Sequence, residues 1–172
     1  MPITKSTAAL TLSTTLAVAL TSGSALAQAH ACERLELLST DDHREVHFVD
    51  FDGDGPSIGD RRLGHRRLVD ADGNVRADRM WTVTVHEVDD AGEPTMTASE
   101  SVTAFPDGNV FSRIENRDPA NVDDHTTPHS SAQRPPQEII GGTGAYAGAT
   151  GTVEVIRGDD NHMTFIFDLD CR

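Results

Sequence analysis

After residue 32 the chain alternates apolar and polar side chains with a period of two, and this alternation restricts the fold more than any other feature. The clearest alternating runs are Arg44–Phe51, Arg79–Val88 and His162–Cys171. Successive side chains of a strand point to opposite faces, whereas a helix repeats every 3.6 residues or so. No stretch of a dozen residues shows the helical period. The sequence therefore predicts an all-β protein.

Turn sequences divide the chain into about eight short strands. The strongest turn signal is Asp107-Gly108, between the predicted strands Thr95–Phe105 and Val110–Asn116. The other predicted strands are Leu35–Ser39, Arg44–Phe51, Arg61–Val69, Arg79–Val88, Thr152–Arg157 and His162–Cys171. Short strands at this spacing predict a sandwich or a barrel. The polar segment Asp118–Pro136 has no periodicity and is predicted to form a long exposed loop.

The first 27 residues have the pattern of a secretory signal peptide. Lys5 precedes the uncharged stretch Ala8–Leu20, and Ala25-Leu26-Ala27 fits a peptidase site before Gln28. We therefore expect a secreted protein, extracellular or periplasmic, with a single domain over residues 28–172. The apolar stretch is too short to cross a bilayer, so we expect no association with a membrane.

Two cysteines remain after this cleavage, Cys32 near the start of the domain and Cys171 next to the last residue. An even number of cysteines in an exported chain predicts a disulfide, and two free buried thiols are the alternative. Bonded cysteines need Cα atoms within about 7 Å of each other. First and last strands that touch favour a closed barrel over a sandwich.

The charge of the chain is strongly negative and excludes one class of partner. Lys and Arg number 14 against 28 Asp and Glu, which gives a formal net charge of −14. Lys5 is the only lysine and is removed with the signal peptide, so the mature chain is one charge more negative. A field of this sign repels phosphate backbones, and we expect no binding to nucleic acid.

The most distinctive segment is the glycine-rich run Ile139–Val153. It resembles the segment Ile-x-Gly-Gly-Thr-Gly-x-Phe/Tyr-x-Gly-Ala-x-Gly of allene oxide cyclases and dirigent proteins. The segments Gly55–Asp60 and Leu68–Gly73 resemble the start of the same barrel, so the resemblance covers about residues 45–171. The motif positions in this chain are Gly141, Gly142, Thr143, Gly144, Gly148 and Gly151. A phosphate-binding loop is the weaker interpretation, because the P-loop lysine and the following helix are missing.

This resemblance implies an eight-stranded antiparallel β-barrel of the calycin type, often a homotrimer, with a cavity for an apolar small molecule and no cofactor. It also implies an isomerase-like activity, either cyclisation or stereochemical steering of a coupling reaction. The catalytic residues of those families have no match here, and a shared fold does not transfer chemistry. A non-catalytic extracellular barrel, for ligand binding or structure, is the alternative function.

Hairpin pairing and strand alternation suggest candidate site residues. Glu100 and Arg113 fall on one face, where they form either a catalytic couple inside the barrel or a surface ion pair outside it. Trp81 is the only tryptophan. Because side chains alternate along a strand, either Trp81 or Met80 must point into the barrel. If Trp81 points inward, it either forms a wall of the pocket or packs in the core. Tyr146 is predicted to plug the end of the barrel near the pocket.

Two acidic segments contain residue types that can bind a metal ion. Asp50-x-Asp52-x-Asp54-Gly55 matches the first half of a calcium loop, but Arg61 stands at the position of the bidentate glutamate. The second segment offers Asp123, Asp124, His125 and His129. Its predicted loop setting argues against fixed ligand geometry. The sequence therefore predicts no dedicated metal site.

Overall fold

A computed structural model describes residues 34–39, 44–53, 55–117, 135–158 and 162–170 of this chain. The signal segment, both cysteines (Cys32 and Cys171), Asp54 and the segment with Asp123, Asp124, His125 and His129 lie outside these ranges. Among the described residues, no helix is long and apolar enough to cross a membrane.

Nine strands form one antiparallel sheet that closes on itself. The strands are β1 Leu35–Ser39, β2 Arg44–Val49, β3 Arg61–Val69, β4 Val75–Val88, β5 Pro94–Phe105, β6 Gly108–Asn116, β7 Gln137–Gly142, β8 Thr150–Arg157 and β9 Met163–Asp170. The order is β1-β9-β8-β7-β6-β5-β4-β3-β2, and the pair Leu38–Val69 joins β1 to β3. Eight strands therefore form a closed barrel, and β2 is an extra strand on β3. The predicted barrel is confirmed.

One end of the barrel is filled with apolar side chains. The rings of Phe105 and Tyr146 lie 4.9 Å apart, and those of Phe105 and Phe167 lie 5.7 Å apart. Leu68, Val110 and Phe167 are fully buried beside them. Offset and edge-to-face aromatic contacts at these distances stabilise a core beyond the burial of area. This end is therefore solid, and any cavity must lie toward the other end.

The glycine-rich run forms the corner that closes the filled end. A 3-10 turn, Gly144–Tyr146, connects β7 to β8, and Gly144 has φ +61°. The backbone amide of Ala145 donates to the carbonyl oxygen of Asp107 at 2.9 Å, and that of Thr143 donates to the carbonyl oxygen of Asn109 at 2.9 Å. The corner is thus docked against the β5–β6 hairpin. A Cβ on Gly144 would overlap the carbonyl oxygen of Asp107, so this position requires glycine.

The β5–β6 hairpin has the predicted faces but a different register. A loop centred on Asp107-Gly108 would place Phe105 opposite Val110, whereas the structure places Phe105 opposite Gly108. Gly108 begins β6 with φ +157°, and the loop residues are Pro106 and Asp107. Because the offset is two residues, each side chain keeps its face.

Tyr146 gives the filled end a spectroscopic signature, because it is the only tyrosine in the chain. Burial, followed by the charge and hydrogen bond of Asp107, raises the pKa of Tyr146 to about 12. We expect the ultraviolet titration of tyrosinate to have its midpoint near pH 12 in the folded protein, not near the ordinary value of about 10. The raised pKa stabilises the fold fully below about pH 10, and this contribution is lost as the pH rises from about 10 to 12. Tyr146→Phe should remove that part of the pH dependence of stability, and a midpoint near 10 in the native protein would contradict the packing.

Candidate functional site

A cavity of about 120 Å³ lies inside the barrel, in the half away from Tyr146. Its volume is similar to that of a protein cavity that admits benzene, about 150 Å³. It reaches the surface beside the exposed Arg44. Apolar and aromatic side chains form part of the wall: Trp81, Val83, Ile114, Val155, Met163 and Phe165. The barrel thus contains a packed half and a half with room for a small molecule.

Arginine is the most frequent residue type in the wall of this cavity. The five arginines are Arg44, Arg62, Arg66, Arg79 and Arg157. Three are buried, with exposed fractions of 7% for Arg62, 5% for Arg66 and 2% for Arg79. Among the described residues that line the cavity, none is Asp, Glu, His or Cys. An acidic chain has therefore concentrated positive charge in its interior.

Arg79 lies at the inner end of the cavity and is held by neutral oxygens. Its guanidinium donates to the hydroxyl of Thr103 at 2.6 Å, to that of Ser112 at 3.2 Å and to the side-chain oxygen of Gln137 at 2.5 Å. The hydroxyl of Ser112 also donates to Gln137, at 3.0 Å. Burial, together with the nearby charge of Arg66, lowers the pKa of Arg79 to about 9. The network fixes the guanidinium in place without neutralising it.

Trp81 forms a wall of the cavity because β3 leaves space for its indole. Gly64 is directly opposite Trp81 in the β3–β4 pairing, and a Cβ on Gly64 would overlap the ring. The guanidinium carbon of Arg66 lies 4.8 Å from the centroid of the indole, a cation–π distance. Met80, the alternative inward residue, is 49% exposed. Trp81 is therefore the residue that points inward.

Ser101 contributes a polar group to the same wall. It pairs with Trp81 on one side and with Ser112 on the other, and it is 5% exposed. In the described part of the chain, its hydroxyl oxygen has no hydrogen-bond partner. A buried hydroxyl without a partner costs about 1–3 kcal/mol, so this position is suited to a polar atom of a ligand.

The other predicted site residues lie away from the cavity. Tyr146 is in the filled end and does not line the cavity, although it does plug the barrel as predicted. Glu100 and Arg113 are directly opposite each other, whereas a loop centred on Asp107-Gly108 would make them diagonal neighbours. Both are exposed on the outer face, where Arg113 lies 3.6 Å from Glu138. This is the surface alternative for the pair, because their neighbours in sequence, Ser101 and Ser112, face inward. The structure gives Glu100 and Arg113 no contact with the cavity.

The arginine cluster was missed by sequence reasoning, although a signal for it exists. Arg79 shares a strand face with Trp81, and Arg62 and Arg66 share one with the buried Leu68. Leu68 is buried in the structure, which places the two arginines on its face inside the barrel. In the sequence this signal is weak, because the opposite face of β3 carries Leu63 and Val69.

The acidic loop between β2 and β3 brings Asp50, Asp52 and Asp60 together, with ligand atoms within 4.8 Å of one another. The carboxylate of Asp60 accepts hydrogen bonds from the backbone amides of Phe51 and Ser57, at 3.0 and 2.8 Å. The carboxylate of Asp50 accepts from the amide of Gly53 at 2.7 Å. The carboxylate of Asp50 also accepts from the amide of Asp52, two residues on, which is the Asx-turn bond, whereas Asp60 ties two earlier parts of the loop together. These bonds account for the loop conformation within the protein itself.

The fold and the cavity define this chain as a β-barrel with an internal small-molecule-sized site. Among solved structures, it is similar to a pyocyanin demethylase, with a TM-score of 0.58 and 23% identity over 80% of this chain and 100% of that one. It is also similar to a heme-binding cyclase of neoabyssomicin biosynthesis (TM-score 0.54, 14% identity, 82% of this chain and 66% of that one). A Diels-Alderase from Streptomyces koyangensis has a TM-score of 0.53 and 14% identity, over 81% of this chain and 66% of that one.

These likenesses show the barrel fold alone, because the identities are low. By sequence, no protein-family model and no curated protein matches the chain. None of the three solved structures is described as an allene oxide cyclase or a dirigent protein. That family resemblance stays a prediction.

Proposed function

We propose that this chain is an exported barrel that binds a small, partly apolar molecule in its cavity and acts on it without a cofactor, as a cyclase or isomerase. The observation that carries the proposal is the composition of the cavity wall. Aromatic and aliphatic surface from Trp81 and Phe165 lies beside the buried guanidinium of Arg79. An interior that combines room, apolar surface and ionisable groups is suited to catalysis, whereas a purely aliphatic interior is suited to structure.

The chemistry available to the described lining residues narrows the type of reaction. A site without a carboxylate, imidazole or thiol has no ordinary general base or nucleophile. It can still hold one conformer of a flexible substrate between apolar walls, which removes an entropic part of the barrier. The guanidinium groups can stabilise negative charge that develops on a substrate oxygen. Ring closure within a single bound molecule needs only these two contributions.

The solved structures give this proposal its second support. Two of the similar barrels are described as a cyclase and as a Diels-Alderase, which are names for ring-forming proteins. The third is described as a demethylase. A barrel of this shape is therefore compatible with several reactions on organic molecules, and cyclisation is the one that the lining residues here support best.

Binding is tested with the fluorescence of Trp81, the single tryptophan. We expect benzamide or benzoate, excited outside their own absorption, to change the emission intensity with a saturating curve, because the indole forms a wall of the cavity. Trp81→Phe should abolish the optical signal while calorimetry still detects binding. If neither compound binds by either method, the cavity is not a site for small ring compounds and the proposal fails.

Catalysis is tested separately with linear conjugated polyene carboxylates, followed by chromatography on a chiral column. We expect one stereoisomer of a cyclised product in excess over the uncatalysed background, and we expect Trp81→Ala to lower this excess. Binding of the polyenes with racemic product at the background rate would identify the chain as a non-catalytic ligand-binding barrel, the alternative function.

A further inference from the structure

Within the described ranges of the chain, no acidic side chain pairs with the charge of Arg79. Its hydrogen-bond acceptors are the oxygens of Thr103, Ser112 and Gln137, all of which are neutral. Arg79 is 2% exposed, so water does not screen its charge. A buried charge is normally paired, because desolvation of an isolated ion is costly. The fold therefore maintains a positive charge that an incoming group can neutralise.

A second guanidinium lies near the same aromatic ring as that of Arg79. The guanidinium carbons of Arg66 and Arg79 lie 5.5 and 5.4 Å from the centroid of the same ring, that of Phe165. Their mutual repulsion contributes to the lowered pKa of Arg79. A positive charge close to Arg79 raises the cost of keeping Arg79 charged. The inner end of the cavity therefore favours a negatively charged group beside Arg79.

The wall around the two guanidinium groups specifies more than charge. The indole of Trp81 and the ring of Phe165 provide flat apolar surface, which an inorganic ion does not need. The buried hydroxyl of Ser101 adds a donor without a described partner. A carboxylate accepts hydrogen bonds from a guanidinium in a fixed planar geometry, and a conjugated ring attached to it would lie along the aromatic wall.

We infer that the inner end of the cavity is an oxyanion site, in which Arg79, Arg66 and Ser101 hold the carboxylate of an aromatic or conjugated organic acid. This inference rests on the proposed function, since it names the class of molecule that the cavity takes. It also changes the predicted ligand, because a wholly apolar molecule would leave the charge of Arg79 buried and uncompensated. During ring closure, the same groups would bind the end of the substrate and fix its position.

The test compares benzoate with benzamide, which has nearly the same shape and no charge, in the full-length mature protein. We expect benzoate to bind at least about tenfold more tightly than benzamide, since hydrogen bonds between charged groups are stronger than those between neutral ones. Arg79→Met should remove most of this preference and leave the affinity for benzamide within about threefold. Ser101→Ala should weaken benzoate by a smaller factor. The readouts are Trp81 fluorescence and calorimetry.

Arg67→Met is the matched control, because Arg67 follows Arg66 in β3 and is exposed on the outer face. It removes the same charge from the protein, and we expect no change in either affinity. Circular dichroism establishes that each variant is folded. If Arg79→Met does not fold, Ser101→Ala and the comparison of benzoate with benzamide in the unaltered protein decide the question.

Each other outcome overturns a specific statement. Equal affinities for benzoate and benzamide would refute the oxyanion site and leave the proposed small-molecule function intact. Inorganic phosphate that displaces benzoate at equal concentration would identify a site for inorganic anions and refute the organic acid. Absence of binding by both ring compounds would refute the proposed function, and with it this inference.

Discussion

Gly144→Ala should lower the free energy of unfolding by about 3–4 kcal/mol, a large effect for the addition of one methyl group. The backbone at Gly144 has φ +61°, which costs an alanine about 1–2 kcal/mol. The larger part of the loss comes from the carbonyl oxygen of Asp107, which the new Cβ would overlap. Because that oxygen belongs to backbone, the corner and the β5–β6 hairpin must move apart to relieve the contact.

Gly148→Ala separates the two causes. Gly148 has φ +76°, yet a Cβ there would meet no atom within 4 Å. We therefore expect Gly148→Ala to cost only the conformational term, about 1–2 kcal/mol. Urea unfolding of the two variants measures both values. Equal losses would show that the corner does not depend on close approach of the hairpin, and that the glycine-rich run serves only to allow positive φ.

The alternation of side chains predicted the faces of the strands well, but not their pairing. Alternation groups Ser101, Thr103 and Val110 on one face without deciding whether it is inside, and the structure places this face inside the barrel. The predicted partner of Phe105 was wrong by two residues, because Gly108, with its positive φ, is the first residue of β6 and not part of the loop. Register depends on turn conformation, whereas the faces depend only on parity.

Alternation also could not decide which face of a strand is inside when both faces are partly apolar. In β4, both Trp81 and Met80 were candidates for the interior. The deciding contact is between strands, since Gly64 of β3 leaves the space that the indole occupies. The sequence alone does not give the pairing of β3 with β4, so it could not predict the contact between Gly64 and Trp81. The same limit left Glu100 and Arg113 undecided between the cavity and the outer surface.

The charged interior is the part of the site that the sequence analysis did not predict. Arginine is rarely buried unless it is paired, and alternation alone gives no reason to expect Arg66 and Arg79 inside the barrel. The structure supports them with aromatic rings and neutral oxygens, which are contacts between distant segments of the chain. Strand parity groups Arg66 with Leu68 and Arg79 with Trp81, and the choice of the inward face then depends on the pairing of the strands.

A disulfide between Cys32 and Cys171 is the second large effect that we expect. Both cysteines lie outside the described residues, so the bond stays a prediction from sequence. The adjoining strands support it, because β1 and β9 are antiparallel neighbours and Leu35 is opposite Phe167. Cys32 precedes Leu35 by a few residues, and Cys171 directly follows β9. The two positions therefore adjoin the same end of one strand pair, as a bond requires.

The bond would close a loop of nearly the whole domain, about 140 residues, for which the chain-entropy model gives about 5 kcal/mol. We expect Cys32→Ser with Cys171→Ser to lower the free energy of unfolding by about 2–5 kcal/mol relative to the oxidised protein. In reductant, the unaltered protein should unfold at the same denaturant concentration as the double variant, which is the matched control. Intact mass before and after reduction and alkylation reports the bond and the cleavage after Ala27 together. Two thiols that react with an alkylating agent in the unreduced, exported protein would refute the disulfide. The closure of the barrel would be unaffected, because it is made by the contact between β1 and β3 at Leu38 and Val69.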